Sequence, residues 1–171
     1  MASGKRHVYY WDSSIWIVYF NAGKQHPDVF ERAEEILAEV KRGQTIIITS
    51  VITRAELLEL HLGAANLRDY DDQFKRRSIV DQPVTRAITS LASDYRSHFV
   101  TLRKAHKFAD AIHLATAVEN KVDEMHTTDE DDLLPCNGDS ILRGTQVIRP
   151  VSATPKLWTA GGTMPTKTGK K

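Results

Sequence analysis

Apolar residues along the chain follow two alternating spacings. Short runs rich in aromatic and β-branched residues predict buried strands, and they cover residues 8–11, 45–49, 79–80, 125–128 and 147–148. Between these runs, apolar residues recur at the spacing of an amphipathic helix, over residues 14–20, 27–42, 51–62, 66–77, 85–99 and 108–119. The fourth of these helices is highly charged and is expected to be exposed. The last is apolar almost all round and is expected to be buried.

This alternation of strands and helices predicts an α/β fold. Strands joined by helices form a mostly parallel sheet that is covered on both faces. We therefore expect residues 7–150 to form a three-layer α/β/α domain whose central sheet has roughly four to five strands. In such a sheet, a ligand site lies beyond the carboxyl ends of the strands.

Four acidic residues from four different segments are the candidate chemistry of this chain. Asp12 and Asp129 follow predicted strands, and Glu56 and Asp110 lie early in predicted helices. A buried carboxylate is costly to desolvate unless a cation meets it, and several carboxylates that converge repel one another. A divalent cation such as Mg²⁺ or Mn²⁺ prefers oxygen ligands and relieves both costs. The sequence therefore predicts a metal site built from Asp12, Asp110 and Asp129, with Glu56 acting through water or as a base.

Each acid also has a simpler interpretation when it is taken alone. Asp12 is well placed to cap a helix, and Asp110 is well placed to interact with the dipole of a first helical turn. Glu56 alone is more typical of a surface residue. The acidic run at residues 129–132 is typical of a solvated loop. The ordered set within an alternating α/β frame favours the metal site over these four separate explanations.

Other candidate ligands are weaker. His113 and His126 lack the paired spacing of a zinc site, which indicates packing or hydrogen-bonding roles. Cys136 is the only cysteine, so an internal disulfide is excluded and a cysteine-based metal site is not expected. Its position beside Pro135 indicates an inert thiol in a loop.

Length and composition favour one globular domain. The chain has 171 residues, of which 41% are hydrophobic, and this is enough for one buried core. No apolar stretch approaches the ~20 residues that a membrane span requires, and the polar start lacks the apolar core of a signal peptide. With a single cysteine, these features predict a protein of the cytoplasm.

Charge is unevenly distributed along the chain. The formal net charge is +1, but residues 151–171 carry four lysines and no acid, which leaves the rest of the chain slightly acidic. This basic tail, rich in Gly, Thr and Lys, is predicted to be largely disordered. Nucleic-acid contacts in the body would need a local basic cluster. Arg103, Lys104 and Lys107 precede Asp110 and form either a solvated loop or a phosphate-binding segment, and Arg54 is a further candidate.

The acidic motifs together resemble those of a known family. The motifs are Asp12-Ser13-Ser14, Glu56 within residues 50–57, Asp110-Ala111, and the segment 127–133 that contains Asp129. In this order they are similar to the motifs of PIN-domain nucleases, and the likeness is greatest to VapC-like toxins of toxin–antitoxin pairs. The resemblance runs from about residue 8 to residue 149. It covers nearly the whole predicted domain.

The resemblance implies a metal-dependent endoribonuclease that leaves 5′-phosphate and 3′-hydroxyl ends. Its metal ligands would be Asp12, Glu56, Asp110 and Asp129, holding Mg²⁺ or Mn²⁺. Supporting residues matched by the family motifs are Ser13, Ser14, Thr127 and Asp132. Leu133 stands where such nucleases more often have phenylalanine, and both side chains fill an apolar site.

The resemblance also implies partners. A toxin of this kind would act on RNA and would be blocked by a cognate antitoxin, without membrane contact. Separately, the apolar residues at 15–20 and in the helix from Pro27 exceed what a small monomer needs, so a homodimer is expected. Two alternatives stay open from the sequence: a housekeeping RNA-processing nuclease of the same fold, and a noncatalytic interaction module. The presence of all four acids disfavours the noncatalytic module.

Overall fold

A computed structural model describes residues 6–59, 62–101 and 107–153. In this part of the chain, five strands form one parallel sheet in the order β3-β2-β1-β4-β5. The strands are β1 (His7–Trp11), β2 (Thr45–Ser50), β3 (Ile79–Gln82), β4 (Glu124–His126) and β5 (Gln146–Ile148). The central strand β1 places Tyr10 opposite Ile48 on one side and Met125 on the other. The predicted parallel sheet is confirmed.

Helices connect these strands and cover the sheet. They are α1 (Ser13–Phe20), α2 (Pro27–Lys41), α3 (Ile52–Glu59), α4 (Ala64–Gln73), α5 (Arg86–Thr101) and α6 (Phe108–Glu119). Short 3₁₀ turns at Leu134–Cys136 and Ser140–Leu142 lie between β4 and β5. None of the helices within the described residues is long and apolar enough to cross a bilayer.

The alternation of side chains along β1 divides the core in two. Tyr10 packs on one face of the sheet with the buried residues of α5 and α6. Tyr9 and Trp11 point to the other face, where α1, α2 and α4 supply most of the buried side chains. Successive residues of a strand face opposite sides of a sheet, so one strand supplies both cores. This arrangement confirms the predicted α/β/α layers.

One helix differs from its prediction. Residues 66–77 were expected to form an exposed charged helix, but α4 spans Ala64–Gln73 and buries Leu67 and Tyr70. The Tyr70 ring packs edge-on against Trp16 of α1, with ring centroids 5.2 Å apart. Apolar packing on α1 therefore fixes this helix, although its charged residues dominate the sequence pattern.

Two other elements have bounds that differ from the predicted ranges or reach the edge of the described residues. Of the helix predicted over residues 51–62, the structure describes α3 at Ile52–Glu59, and residues 60–61 lie outside the described part of the chain. The strand predicted over residues 125–128 ends at His126. Of the predicted basic tail, residues 154–171 also lie outside the described part.

Close packing between α5 and α6 gives a stability prediction. Ala92 of α5 is fully buried in the core beneath α6, so Ala92→Leu should overpack this contact and lower the free energy of unfolding by about 1–3 kcal/mol. Ala87→Leu, at an exposed position of the same helix, is the matched control and should change stability by less than about 0.5 kcal/mol. Urea unfolding of both variants measures the difference. Equal effects would show that α5 is not packed as described.

Candidate metal centre

Three of the predicted acids lie at the carboxyl edge of the sheet. Asp12 directly follows β1, and Asp129 follows β4, the neighbouring strand. Asp110 is in the first turn of α6. The parallel topology therefore brings these segments to one edge, as expected for an α/β sheet.

Asp12 is a helix cap and a buried acid at the same time. Its Oδ1 accepts a hydrogen bond from the backbone N–H of Ile15 at 3.2 Å and another from the Ser14 hydroxyl at 2.6 Å. Only 3% of the residue is exposed. Burial raises the pKa of Asp12, and the nearby His113 and the hydroxyls of Ser14 and Thr127 oppose this rise. The capping interpretation and the buried-acid interpretation are thus both correct for this residue.

The acidic group that could hold a metal ion consists of Asp110, Asp129 and Asp132. One carboxylate oxygen from each residue lies within 4.8 Å of the others. Asp110 is buried, whereas Asp129 and Asp132 are partly exposed. Asp12 and Glu56 are also among the described residues, but they do not belong to this group.

Backbone N–H groups hold this acidic group in place. The Oδ2 of Asp110 accepts from the N–H of Lys107 at 3.0 Å, which closes the first turn of α6. The Oδ1 of Asp129 accepts from the N–H groups of Asp131 and Asp132 at 3.1 and 2.8 Å. These bonds fix both carboxylates without neutralising their charge, because the donors are uncharged amides.

The electrostatic cost of this arrangement falls on Asp110. Burial, followed by the charges of Asp129 and Asp132, raises the pKa of Asp110 to about 6, although the N–H of Lys107 acts in the opposite direction. The Lys107 ammonium lies 3.8 Å from a carboxylate oxygen of Asp132 and is itself highly exposed. Three carboxylates and one exposed lysine leave an excess of negative charge. Hard oxygen donors in such excess fit Mg²⁺ or Mn²⁺.

Two hydroxyls join Asp12 to the acidic group. The Ser14 hydroxyl, which donates to Asp12, also accepts from the backbone N–H of Thr128 at 2.8 Å. The Thr127 hydroxyl accepts from the N–H of Asp129 at 3.0 Å and lies 3.5 Å from the Ser14 hydroxyl. This short network ties the end of β1 to the loop after β4. Ser13 begins α1 and is half-buried.

Glu56 lies on α3 and contacts His113 of α6. Its Oε2 is 2.7 Å from the Nε2 of His113, and the Nδ1 of His113 is 2.6 Å from the hydroxyl of Tyr10. His113 therefore forms hydrogen bonds, as its sequence context indicated. The sequence did not predict the contact between His113 and Tyr10. It did contain a signal that His113 lies on the same helix face as Asp110, because residues three apart in a helix share one face.

Of the candidate RNA-binding residues, Arg54 and Lys107 lie in the described part of the chain. Arg54 Nε and Nη2 donate to the two carboxylate oxygens of Asp71 at 2.9 and 3.2 Å. A phosphate would have to compete with this pair for Arg54. Lys107 lies next to the acidic group, as described above. Arg103 and Lys104 lie outside the described residues.

Leu133 and Cys136 follow the acidic group and fit its surroundings. Leu133 is buried in the core beneath α5 and α6, as its sequence position indicated. Cys136 is also buried, in a 3₁₀ turn, and its Sγ lies 3.3 Å from the carbonyl oxygen of Asp132. Both residues anchor the loop that carries Asp129 and Asp132.

Comparisons with solved structures show what this fold is similar to. VapC20 of Mycobacterium tuberculosis, described as a Sarcin-Ricin loop cleaving toxin, matches with a TM-score of 0.59 and 19% identity, over 83% of this chain and 99% of that one. VapBC2 of Rickettsia felis bound to a promoter DNA fragment matches with a TM-score of 0.59 and 12% identity, over 83% of this chain and 98% of that one. A toxin–antitoxin complex from Klebsiella pneumoniae matches with a TM-score of 0.51 and 20% identity, over 86% and 97% of the two chains.

The sequence itself gives a family assignment. No protein with a curated description matches this chain. The family model described as "PIN domain" matches residues 9–134, which run from within β1 through β4 and include all the acids discussed above. The acidic edge, the parallel sheet and this match agree with one another, and the chain belongs to the PIN-domain family.

Proposed function

We propose that this protein is a metal-dependent endoribonuclease. The observation that carries the proposal is the group formed by Asp110, Asp129 and Asp132, whose oxygens lie within 4.8 Å of one another. Burial, together with the charges of Asp129 and Asp132, raises the pKa of Asp110, and a bound cation would lower the cost of ionising this carboxyl. Buried carboxylates with perturbed pKa values are typical of functional sites.

Residues from four segments of the chain would together hold Mg²⁺ or Mn²⁺. Asp110, Asp129 and Asp132 would provide the ligands from α6 and the loop after β4. Asp12, joined to that loop through Ser14 and Thr127, would complete the site from the end of β1. Glu56 would act through water or as a base from α3. When bound, such an ion acidifies coordinated water and neutralises the charge that develops on a phosphate.

The substrate follows from this chemistry and from the family. A phosphodiester completes the coordination of a metal that carboxylates hold only in part. Lys107 is well placed to meet a neighbouring phosphate, because it is exposed and close to Asp132. Hydrolysis would leave a 5′-phosphate and a 3′-hydroxyl. We propose single-stranded RNA as the substrate and the cytoplasm as the place of action.

A role as the toxin of a toxin–antitoxin pair has separate support. The structural neighbours include a toxin described as cleaving the Sarcin-Ricin loop and complexes of toxins with their antitoxins. Val100 and Phe108 are more than half exposed, and exposed apolar residues support a protein interface. We therefore propose an antitoxin and a second copy of this chain as partners.

The metal requirement is tested by cleavage of single-stranded RNA. Asp110→Asn and Asp132→Asn each remove one carboxylate charge from the site, so cleavage should fall at least about a hundredfold. Asp131→Asn is the matched control, since Asp131 is exposed in the same loop and contributes only its backbone N–H. Its activity should be close to wild type. Excess EDTA should abolish cleavage by the wild-type protein, and substantial activity in EDTA would exclude this mechanism.

The electrostatic cost at Asp110 gives a prediction for the metal-free protein. The pKa of Asp110 is raised from its ordinary value of 3.8 to about 6, so the folded state binds this proton more tightly than the unfolded state. Stability should therefore fall as pH rises through this window, with the full penalty above pH 6. Asp110→Asn keeps an acceptor for the N–H of Lys107 and removes the charge. It should melt at a higher temperature than wild type at pH 8 in EDTA.

Lower pH and added Mg²⁺ are the controls for this comparison of melting temperatures between Asp110→Asn and wild type. The advantage of Asp110→Asn should shrink toward pH 4, where the wild-type carboxyl is protonated. It should also shrink or reverse in millimolar Mg²⁺, because an ion that binds only the folded wild type stabilises it. Equal melting temperatures at pH 8 in EDTA would show that the acidic group is not under electrostatic strain.

A further inference from the structure

A buried histidine connects the candidate metal centre to the central strand. His113 is 2% exposed and lies on α6. Its Nε2 is 2.7 Å from the Oε2 of Glu56 on α3, and its Nδ1 is 2.6 Å from the hydroxyl of Tyr10 on β1. Both ring nitrogens therefore have a partner, and the two partners come from different elements.

The partners determine where the hydrogens lie. A carboxylate can only accept hydrogen bonds, so the Nε2 that faces Glu56 carries a hydrogen. Tyr10 is fully buried. Its hydroxyl lies 2.6 Å from Nδ1, so Tyr10 holds one side of the ring while the Nε2–H on the other side donates to Glu56.

A second buried histidine shows the same arrangement. The Nδ1 of His126 is 3.1 Å from the indole Nε1 of Trp11, and its Nε2 is 2.9 Å from a carboxylate oxygen of Glu124. An indole nitrogen can only donate, which leaves Nδ1 of His126 as the acceptor and places the hydrogen on Nε2. In both cases an aromatic side chain of β1 orients the ring, and the ring donates to a carboxylate.

We propose that His113 is a positioning residue for Glu56, and that Tyr10 holds the His113 ring in place. The inference rests on the proposed function, since it assigns Glu56 a fixed place at the metal centre. Glu56 is 22% exposed at its side chain, and a glutamate with that freedom occupies several rotamers unless a partner holds it. Hydrogen bonds from outside the ligand set commonly orient metal-site carboxylates in this way.

A matched pair of substitutions separates positioning from packing. The amide nitrogen of His113→Gln reaches about as far as Nε2 and can still donate to Glu56, whereas the amide of His113→Asn reaches only as far as Nδ1. Both variants lose the ring. His113→Gln should retain Mn²⁺ affinity and kcat near wild type. His113→Asn should lose about 10–100-fold in kcat, with a weaker affinity for Mn²⁺ and little change in KM for RNA.

The readouts are Mn²⁺ titration calorimetry and steady-state cleavage, with urea unfolding of both variants alongside. If the two variants lose Mn²⁺ affinity and kcat equally, in proportion to their loss of stability, His113 is only a packing residue and the proposal is overturned. If wild type binds Mn²⁺ but cleaves no RNA, the proposed function fails, while the Mn²⁺ affinities of the pair still decide the role of His113.

The tautomer is tested independently of any activity. Two-bond ¹H–¹⁵N correlation spectra of the metal-free protein at pH 7.5 distinguish the two neutral tautomers and the doubly protonated ring. The signal that His113→Asn removes should show the hydrogen on Nε2, with the pattern of His126 as an internal reference. Tyr10→Phe should change the ring signals of His113 and leave those of His126 unchanged. A wild-type His113 without a hydrogen on Nε2 would overturn the proposal.

Discussion

Repulsion between carboxylates at one edge of the sheet is the constraint on which the rest of the site depends. Asp110, Asp129 and Asp132 approach one another closely, and burial makes the charge on Asp110 expensive. Backbone N–H groups hold the oxygens of Asp110 and Asp129 in place but supply no full positive charge. The folded chain is thus preorganised for a cation and carries a cost in its absence.

The topology explains how distant segments meet at this edge. β1 is the central strand, and its end carries Asp12 next to the loop that follows β4. Its aromatic residues pack in both cores, because Tyr10 and Trp11 point to opposite faces of the sheet. Each of them also forms a hydrogen bond with a buried histidine. The same strand therefore stabilises the two layers and holds polar groups in place. A substitution in β1 is expected to affect packing and site geometry together.

The sequence predicted the parts of the site that depend on element ends. Asp12 and Asp129 follow strands and Asp110 opens a helix, so a parallel sheet brings these segments to one edge wherever the exact boundaries fall. The group of close carboxylate oxygens, however, contains Asp132 and not Asp12. The central place of Asp132 depends on the turn in which its N–H bonds to Asp129, and no periodicity encodes that turn. The pairing of Arg54 with Asp71, and the packing of Tyr70 on Trp16, join residues far apart in sequence. Such contacts depend on tertiary packing, which overrides local charge patterns.

If the acidic edge binds a cation, anomalous X-ray diffraction from crystals containing Mn²⁺ should locate the ion there. We expect a manganese peak about 2.1 Å from carboxylate oxygens, contributed by Asp110, Asp129 and Asp132, with Glu56 still bonded to His113. Crystals of Asp132→Asn, treated identically, should show a weaker peak or none. A peak held by other residues, or an ordered acidic group without manganese at millimolar concentration, would contradict the account.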